Sequence, residues 1–435
     1  MSSLSTQPYK GARDFYPDDL RIQKYIFSVW RKVAESYGYE EYNAPILEPL
    51  ELYLAKSGTE IVNEQTYNFE DRGGRQVTIR PEMTPTVSRM VAAKRQELSY
   101  PMRLYSIPNL WRYERPQRGR LREHWQLNVD IFGVGSLDAD AELICMSRDI
   151  MKTFGATPDM YEIRINSRKL TNVVMSDYLE LDTVQAELMI KLLDRFHKID
   201  IETFQADAIE IFDASNAEEK YEKLRQLLNI RDFSQLPEEL AEREELQVVK
   251  DVLERLGDRA ITNAKFDVSL MRGFDYYTDI VFEIVDTDPA NNRSMFGGGR
   301  YDGLVGLFGV EPVPTAGFGM GDVVIKDFLE THSLLETPTV ETDAYILVIG
   351  DATEGANRLA QKMREEGVNV AVDYSGRKLD AQLKTALNKN VPYAIFVGQD
   401  EVAEQMFNLK HLPTNTEERK APDRIIAMIL DSRKK

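Results

Sequence analysis

The sequence predicts an α+β fold in two parts. A body over about 1–332 is built on a mostly antiparallel sheet with a helical insertion, and a separate C-terminal α/β domain covers 343–435. Three observations predict this. The stretch 103–133, RLYSIPNLWRYERPQRGRLREHWQLNVDIFG, reads as a strand, a basic loop and a second strand. From 179 to 257 the chain is helical in pattern, poor in Gly and rich in Glu, before strand character returns. Beyond a linker at 333–342, apolar runs at 344–349, 368–372 and 393–397 alternate with helical patterns at 355–366 and 378–389. That alternation is a parallel βαβ unit.

In chain order, 1–17 is a polar loop containing Pro. Asp18 is placed to cap a helix to about Tyr37, with Ile22, Ile26, Val29, Trp30 and Val33 on one apolar stripe. Gly38 stops it, 42–47 is extended around Pro45, and 48–56 is a short helix. Strands at 66–70 and 76–79 are joined by Asp71-Arg72-Gly73-Gly74, a turn by its Gly content. Arg80-Pro81-Glu82-Met83-Thr84-Pro85 opens a helix to about Gln96, with Pro85 tolerated in the first turn. The 103–133 hairpin follows, then a helix over 138–154 and a strand over 161–165. After the insertion, strands at 266–270 and 280–285 flank Met271-Arg272-Gly273-Phe274-Asp275-Tyr276-Tyr277. Gly297-Gly298-Gly299-Arg300-Tyr301-Asp302-Gly303 reads as a loop opening a short helix. A Gly-rich strand at 315–320 leads into a helix from Asp322.

Composition narrows the function class. The net charge of −18 argues against a protein that coats nucleic acid. Local charge says more. Residues 101–126 hold six Arg against two Glu, whereas 200–255 holds sixteen acidic against seven basic residues. Residues 343–435 hold fourteen of each sign. The single cysteine, Cys145, excludes an internal disulfide, and with no signal-peptide pattern the cytoplasm is expected. No apolar run approaches the ~20 residues of a membrane span. The four His residues are scattered, so no protein-held metal site is expected. A Mg²⁺ ion held mainly through substrate phosphates remains compatible.

Period-two alternation puts Arg122, His124, Gln126, Asn128 and Asp130 on one face of the second hairpin strand. Glu123, Trp125, Leu127, Val129 and Ile131 fall on the other. The polar row is either a solvated face or a site for a polar anionic ligand beside nucleic acid. Arg112 and Glu114 share a face on the preceding strand, and Arg272 sits between apolar neighbours. Such an Arg needs an anion, either a structural carboxylate or a bound phosphate. No Gly-Lys-Ser/Thr follows Gly297-Gly298-Gly299, which excludes a Walker loop. Gly317-Phe318-Gly319-Met320-Gly321 lacks dinucleotide spacing. Either glycine run could simply bring backbone close to a ligand or a neighbouring strand.

Together these segments resemble the class II aminoacyl-tRNA synthetases, and specifically the histidyl-tRNA synthetase family. The hairpin is similar to the second motif of the class, and Leu270 to Glu283, LMRGFDYYTDIVFE, to the family's histidine signature. The segments around Pro45, Glu82, Gly298 and Gly317 fall in the family's order. The resemblance implies an antiparallel-sheet catalytic domain in two parts, 1–178 and 258–332. A helical insertion at 179–257 would separate them, and an anticodon-binding α/β domain would occupy 343–435. It implies ATP-dependent activation of L-histidine to histidyl-adenylate and transfer to the 3′ end of tRNA(His), by a homodimer in the cytoplasm. Arg112 and Arg272 would be catalytic and hold the α-phosphate from opposite sides, with Glu114 in the ATP site. Glu82, Thr84 and Gln126 would hold the amino end of histidine, with Met83 in the same segment. Asp130 and Tyr277 would face the imidazole, with Tyr276 lining the pocket. Gln117, Arg120 and Arg122 would meet the tRNA acceptor end.

Several positions depart from the family's pattern. Met83 stands where many bacterial relatives have Gly, and Asp130 where many have Glu. The third motif, expected to end in Gly-x-Glu-Arg, reads Gly321-Asp322-Val323-Val324. Lys326 or an Arg of the basic loop is the expected substitute for the missing cation. The competing reading is a non-catalytic, synthetase-like regulatory subunit of histidine biosynthesis, a class that generally lacks the C-terminal domain. In that domain Arg377, Lys378, Lys384 and Lys389 are either an anticodon-stem contact or a solvated face.

Overall fold

The computed structural model describes residues 4–54, 65–196, 199–213, 216–230, 233–270, 276–291, 294–336 and 338–433. Contacts divide the chain into two compact units, Met1–Glu336 and Thr337–Lys435. Arg272, in the histidine-signature segment, lies outside the described residues.

The strands of the first unit are β1 (Glu40–Glu41), β2 (Leu47–Pro49), β3 (Tyr67–Glu70), β4 (Gln76–Ile79), β5 (Met102–Ser106) and β6 (Asn109–Trp111). They continue as β7 (Glu123–Phe132), β8 (Tyr161–Ser167), β9 (Ala264–Phe266), β10 (Ile280–Asp286), β11 (Ser294–Arg300) and β12 (Thr315–Gly321). Nine form one sheet in the order β1-β5-β7-β12-β11-β10-β8-β9, with β6 paired to the start of β7. Only the outer pairs β1–β5 and β8–β9 are parallel. A small sheet, β2-β4-β3, stands apart.

The ten-residue strand β7 is the axis of this sheet. Leu127, Val129 and Ile131 enter the main core with Trp30, Ile144 and Phe328. Each such fully buried side chain stabilises the fold by roughly 1.5–3 kcal/mol. The polar face departs from expectation: Asn128 and Asp130 are also buried. The first hairpin strand is broken at Ile107-Pro108 into β5 and β6. Pro108 has no N–H to give, but its carbonyl accepts from Gln126 N–H at 3.2 Å and keeps the ladder in register.

Other elements differ in detail. The first helix is Pro17–Ser36, with Pro17 in its first turn and Tyr16 at the N-cap. Asp18 therefore does not cap; it lies in the first turn with Asp19, where a carboxylate favours the helix dipole. Gly297, Gly298 and Gly299 are not a loop but lie inside β11. A Cβ on Gly298 would stand 2.0 Å from the Gly317 carbonyl oxygen, so strand packing demands glycine there. The helices Thr183–Asp194, Ile201–Phe212, Ala217–Leu228 and Glu244–Asp258 follow the expected helical region. Their Met189, Phe204, Leu224 and Val249 join the same core as the sheet.

The second unit has strands β13 (Ala344–Val348), β14 (Val370–Val372), β15 (Tyr393–Val397), β16 (Phe407–His411) and β17 (Thr416–Lys420), in the order β14-β13-β15-β16-β17. The first three pair in parallel, as expected. The antiparallel strands β16 and β17 extend the sheet beyond the predicted unit. This unit has its own core, including Ile346, Leu359, Ile395 and Ile425. Among the described residues no helix is long and apolar enough to cross a membrane.

Candidate active site

Strand register places the polar row of β7 over bare backbone. Opposite Asp130, Asn128 and Gln126 on β12 stand Gly317, Gly319 and Gly321. One strand further, Gly299 and Gly297 on β11 pair with Gly317 and Gly319. Directly opposed residues of an antiparallel sheet point to the same face. The result is a strip without side chains, walled on one side by Gln126 and Asp130. A Cβ on Gly319 would meet Gln126 Nε2 at 2.6 Å, and one on Gly317 would meet Asp130 Oδ1 at 2.3 Å. The glycine-rich third motif is the floor under these two side chains.

The opposite wall is aromatic. Tyr276, Tyr277 and Tyr301 are buried together, with Tyr276–Tyr277 and Tyr276–Tyr301 ring centroids 5.0 and 5.6 Å apart. The Tyr301 hydroxyl donates to Asp130 Oδ1. Asp130 Oδ2 is buried without a partner. Burial pushes the Asp130 carboxyl up to about 7, against the lowering effect of the Tyr301 hydrogen bond. The Tyr301 hydroxyl is itself raised well above its ordinary value by burial and the Asp130 charge. Sequence reasoning missed Tyr301; the signal available was its place two residues after Gly299.

The Glu82 segment is tied to the hairpin by backbone carbonyls. Arg80 Nε donates to Asn109 O at 3.1 Å and Nη1 to Ala44 O at 2.7 Å. Arg112 Nε donates to Pro81 O at 2.9 Å. Glu82 is thereby buried within reach of the signature segment, and Tyr276 donates its hydroxyl to Glu82 Oε2 at 3.1 Å. Thr84 opens the helix Thr84–Ala93. Met83 is fully buried, so its side chain belongs to the packing beneath the segment. The fold thus brings Glu82, Tyr276, Tyr277, Tyr301 and Asp130 into one connected cluster, with Arg112 joined through Pro81.

The basic loop divides. Gln117 and Arg120 exchange backbone hydrogen bonds around Arg118-Gly119, with Gly119 at φ +74°, so the loop tip is a tight turn with exposed Gln117 and Arg120. Arg120 reaches Glu114 at 3.8 Å. Arg122 is held differently. Its guanidinium lies 4.0 Å from the Tyr113 ring centroid, and it donates to the Tyr9 hydroxyl and the Glu114 carbonyl at 3.0 Å each. Of the expected substitutes for the third-motif cation, Lys326 pairs with Glu330 at 2.6 Å and Arg118 donates to Ala290 O and Thr331 Oγ, while Arg115 and Arg120 of the basic loop are exposed.

This arrangement can hold a small zwitterion on the glycine strip, with carboxylates at its cationic ends and Arg112 beside it for an anion. The model of the histidyl-tRNA synthetase family matches residues 11–321. The chain belongs to the histidyl-tRNA synthetase family. An anticodon-binding domain model of the kind expected matches residues 343–432. The histidine–tRNA ligase of Leptospira biflexa is 42% identical over 418 residues, 95% of each chain. That of Thermoplasma volcanium is 38% identical over 425 residues, covering 95% of this chain and 96% of the relative. The crystal structure of a histidyl-tRNA synthetase from Nostoc shares the fold at TM-score 0.81 and 22% identity, covering 99% of this chain and all of that one. The apo Staphylococcus aureus enzyme does so at TM-score 0.73 and 24% identity, over 98% of this chain.

Proposed function

We propose that this chain is a histidine–tRNA ligase that couples ATP and L-histidine to histidyl-adenylate and then charges tRNA(His). The observation that carries the reading is the glycine strip between Gln126–Asp130 and the Tyr276–Tyr277–Tyr301 wall. An amino-acid zwitterion with an imidazole fits its chemistry. The imidazole needs an acceptor for one nitrogen and a hydroxyl for the other. Asp130 Oδ2, buried without a partner, is the acceptor, and Tyr277 supplies the hydroxyl. Glu82, Thr84 and Gln126 hold the α-amino end.

Adenylation is attack of the histidine carboxylate on the α-phosphorus of ATP, with pyrophosphate leaving. It needs two anions brought together and charge on the phosphate oxygens offset. Arg112 supplies that charge from one side, with Glu114 beside it, and Arg272 from the other. Among the described residues no group of three or more His, Cys, Asp or Glu side chains stands ready to hold a metal. A Mg²⁺ ion would be carried mainly by the ATP phosphates. Gln117 and Arg120, exposed at the loop tip, suit the phosphates of the tRNA acceptor end. Exposed Ile46, Leu47, Leu54 and Phe69, on and beside the small sheet, offer the apolar surface a homodimer would cover. Buried, unpaired Cys145 is at home in a reducing cytoplasm.

The test is ATP–pyrophosphate exchange with and without histidine. Exchange that depends on histidine is expected. Its absence would sink the ligase reading and leave the regulatory-subunit alternative.

A further inference from the structure

Residues 9–15 lie as a strap along the start of β7. The Gly11 carbonyl accepts from Arg122 N–H at 3.0 Å and Glu123 N–H at 3.1 Å. Arg13 N–H donates to Glu123 Oε2 at 3.4 Å. Phe15 packs edge-on against Trp125, with centroids 5.3 Å apart. Arg13 is the charged element of the strap. Its Nη2 pairs with Asp322 Oδ2 at 2.8 Å, and Asp322 Oδ1 accepts from Trp125 N–H at 2.9 Å. The guanidinium packs 4.9 Å from the Phe15 ring centroid. Its Nε is buried and has no hydrogen-bond partner.

Three features make this more than a structural ion pair. First, a buried N–H without a partner is unfavourable until an acceptor arrives. Second, Arg13 and Arg112 both act on the half-buried His124, whose imidazole burial and these two charges push down to about 3. Two guanidinium charges thus bear on the start of the strand that carries Gln126 and Asp130. Third, a polyanionic substrate needs cations, and three of the other cations around the third motif and basic loop already have close partners. Lys326 pairs with Glu330, Arg118 is tied to Ala290 and Thr331, and Arg122 is caged by Tyr9 and Tyr113. Val324 places an aliphatic group where a third-motif Arg was expected.

We propose that Arg13, fixed by Asp322 on the edge of β7, is a substrate-binding residue that contacts the polyphosphate of ATP. The proposal rests on the ATP-dependent ligase reading. The cation would come from the N-terminal strap instead of the third motif, with Asp322 orienting it.

The test is calorimetric ATP binding by the full chain, together with KM values in pyrophosphate exchange. Arg13→Met keeps the apolar stem against Phe15 but removes the charge. Arg13→Met combined with Asp322→Asn removes both charges and leaves no unpaired carboxylate. Both variants are expected to bind ATP about ten-fold more weakly or worse, the loss of a charge-assisted hydrogen bond. The KM for histidine should stay unchanged. Val324→Arg in the double variant should recover part of the ATP affinity. If the double variant binds ATP as the wild type does, Arg13 is only a counterion and the proposal is overturned. Equal rises in both KM values would also overturn it, as the mark of a general structural strap. A wild type that binds ATP but shows no histidine-dependent exchange would defeat the ligase reading while leaving the Arg13 comparison measurable. A wild type that binds no ATP would defeat both.

Discussion

The Tyr301 hydroxyl donates to Asp130 Oδ1, and these two residues, 171 positions apart, are both buried. The carboxyl is raised from 3.8 to about 7, chiefly by burial. Between those values the folded protein keeps a proton that the unfolded chain has lost. The stability it contributes is fully present below about pH 4 and is lost as pH rises through 7. In histidine-free protein, urea unfolding of wild type against Asp130→Asn should therefore diverge with pH. The wild type loses stability relative to the variant from about pH 4 to 7. Parallel pH profiles would remove the buried-carboxyl account.

Gly317 and Gly321 are both glycines of the third motif, but they should behave oppositely. A Cβ on Gly317 meets Asp130 Oδ1 at 2.3 Å, Val129 O at 2.7 Å and Tyr301 Oη at 2.9 Å; one on Gly321 meets nothing within 4 Å. Gly317→Ala should cost about 1–3 kcal/mol of stability and raise the KM for histidine. Gly321→Ala, at φ −81°, should leave stability unchanged. Thermal melts and histidine titrations check this; equal effects at the two positions would contradict the glycine-floor geometry.

Arg112→Ala should slow histidine-dependent pyrophosphate exchange by about 10²–10³-fold, the scale of a lost donor to developing charge. Arg272→Ala should slow it by a similar factor, about 2.7–4 kcal/mol. Normal exchange in either variant would strike that residue from the catalytic set.

Glu82 and Tyr276 form a buried 3.1 Å hydrogen bond. If Glu82 holds the α-amino end as proposed, Glu82→Gln should raise the KM for histidine about ten-fold or more. The KM for ATP should hardly move. A shift confined to ATP would place Glu82 in the wrong half of the site.

The two units have separate cores, so chain 1–336 should fold and adenylate histidine while failing to charge tRNA efficiently. Intact charging by the truncated chain would deny the second unit a role in tRNA binding. Within that unit Arg377 pairs with Asp373 at 3.3 Å and donates to Ser375 and Thr385. Lys389 lies 5.6 Å from the Tyr345 ring centroid. The partners of Arg377 favour a structural role there over an anticodon-stem contact.

Much was legible in the sequence because it is local. The Trp111-Arg112 hairpin, the Glu82 segment and the third-motif glycines keep their identity and order in a one-dimensional string, which is enough to fix the family and the fold class. Alternation along β7 gave the correct two faces, since side-chain period in a strand is a local property. Burial of the polar face was not legible, because it depends on β5 and β12 flanking β7 from distant parts of the chain. Close backbone approach was one expected use of Gly317 and Gly319, but that they lie under Asp130 and Gln126 follows only from the β7–β12 register. Register is set by long-range pairing rather than by residue preference. The pairs Tyr301–Asp130 and Arg13–Asp322 belong to the same class. Each joins residues more than 150 positions apart, and only the closed sheet brings them within hydrogen-bonding distance.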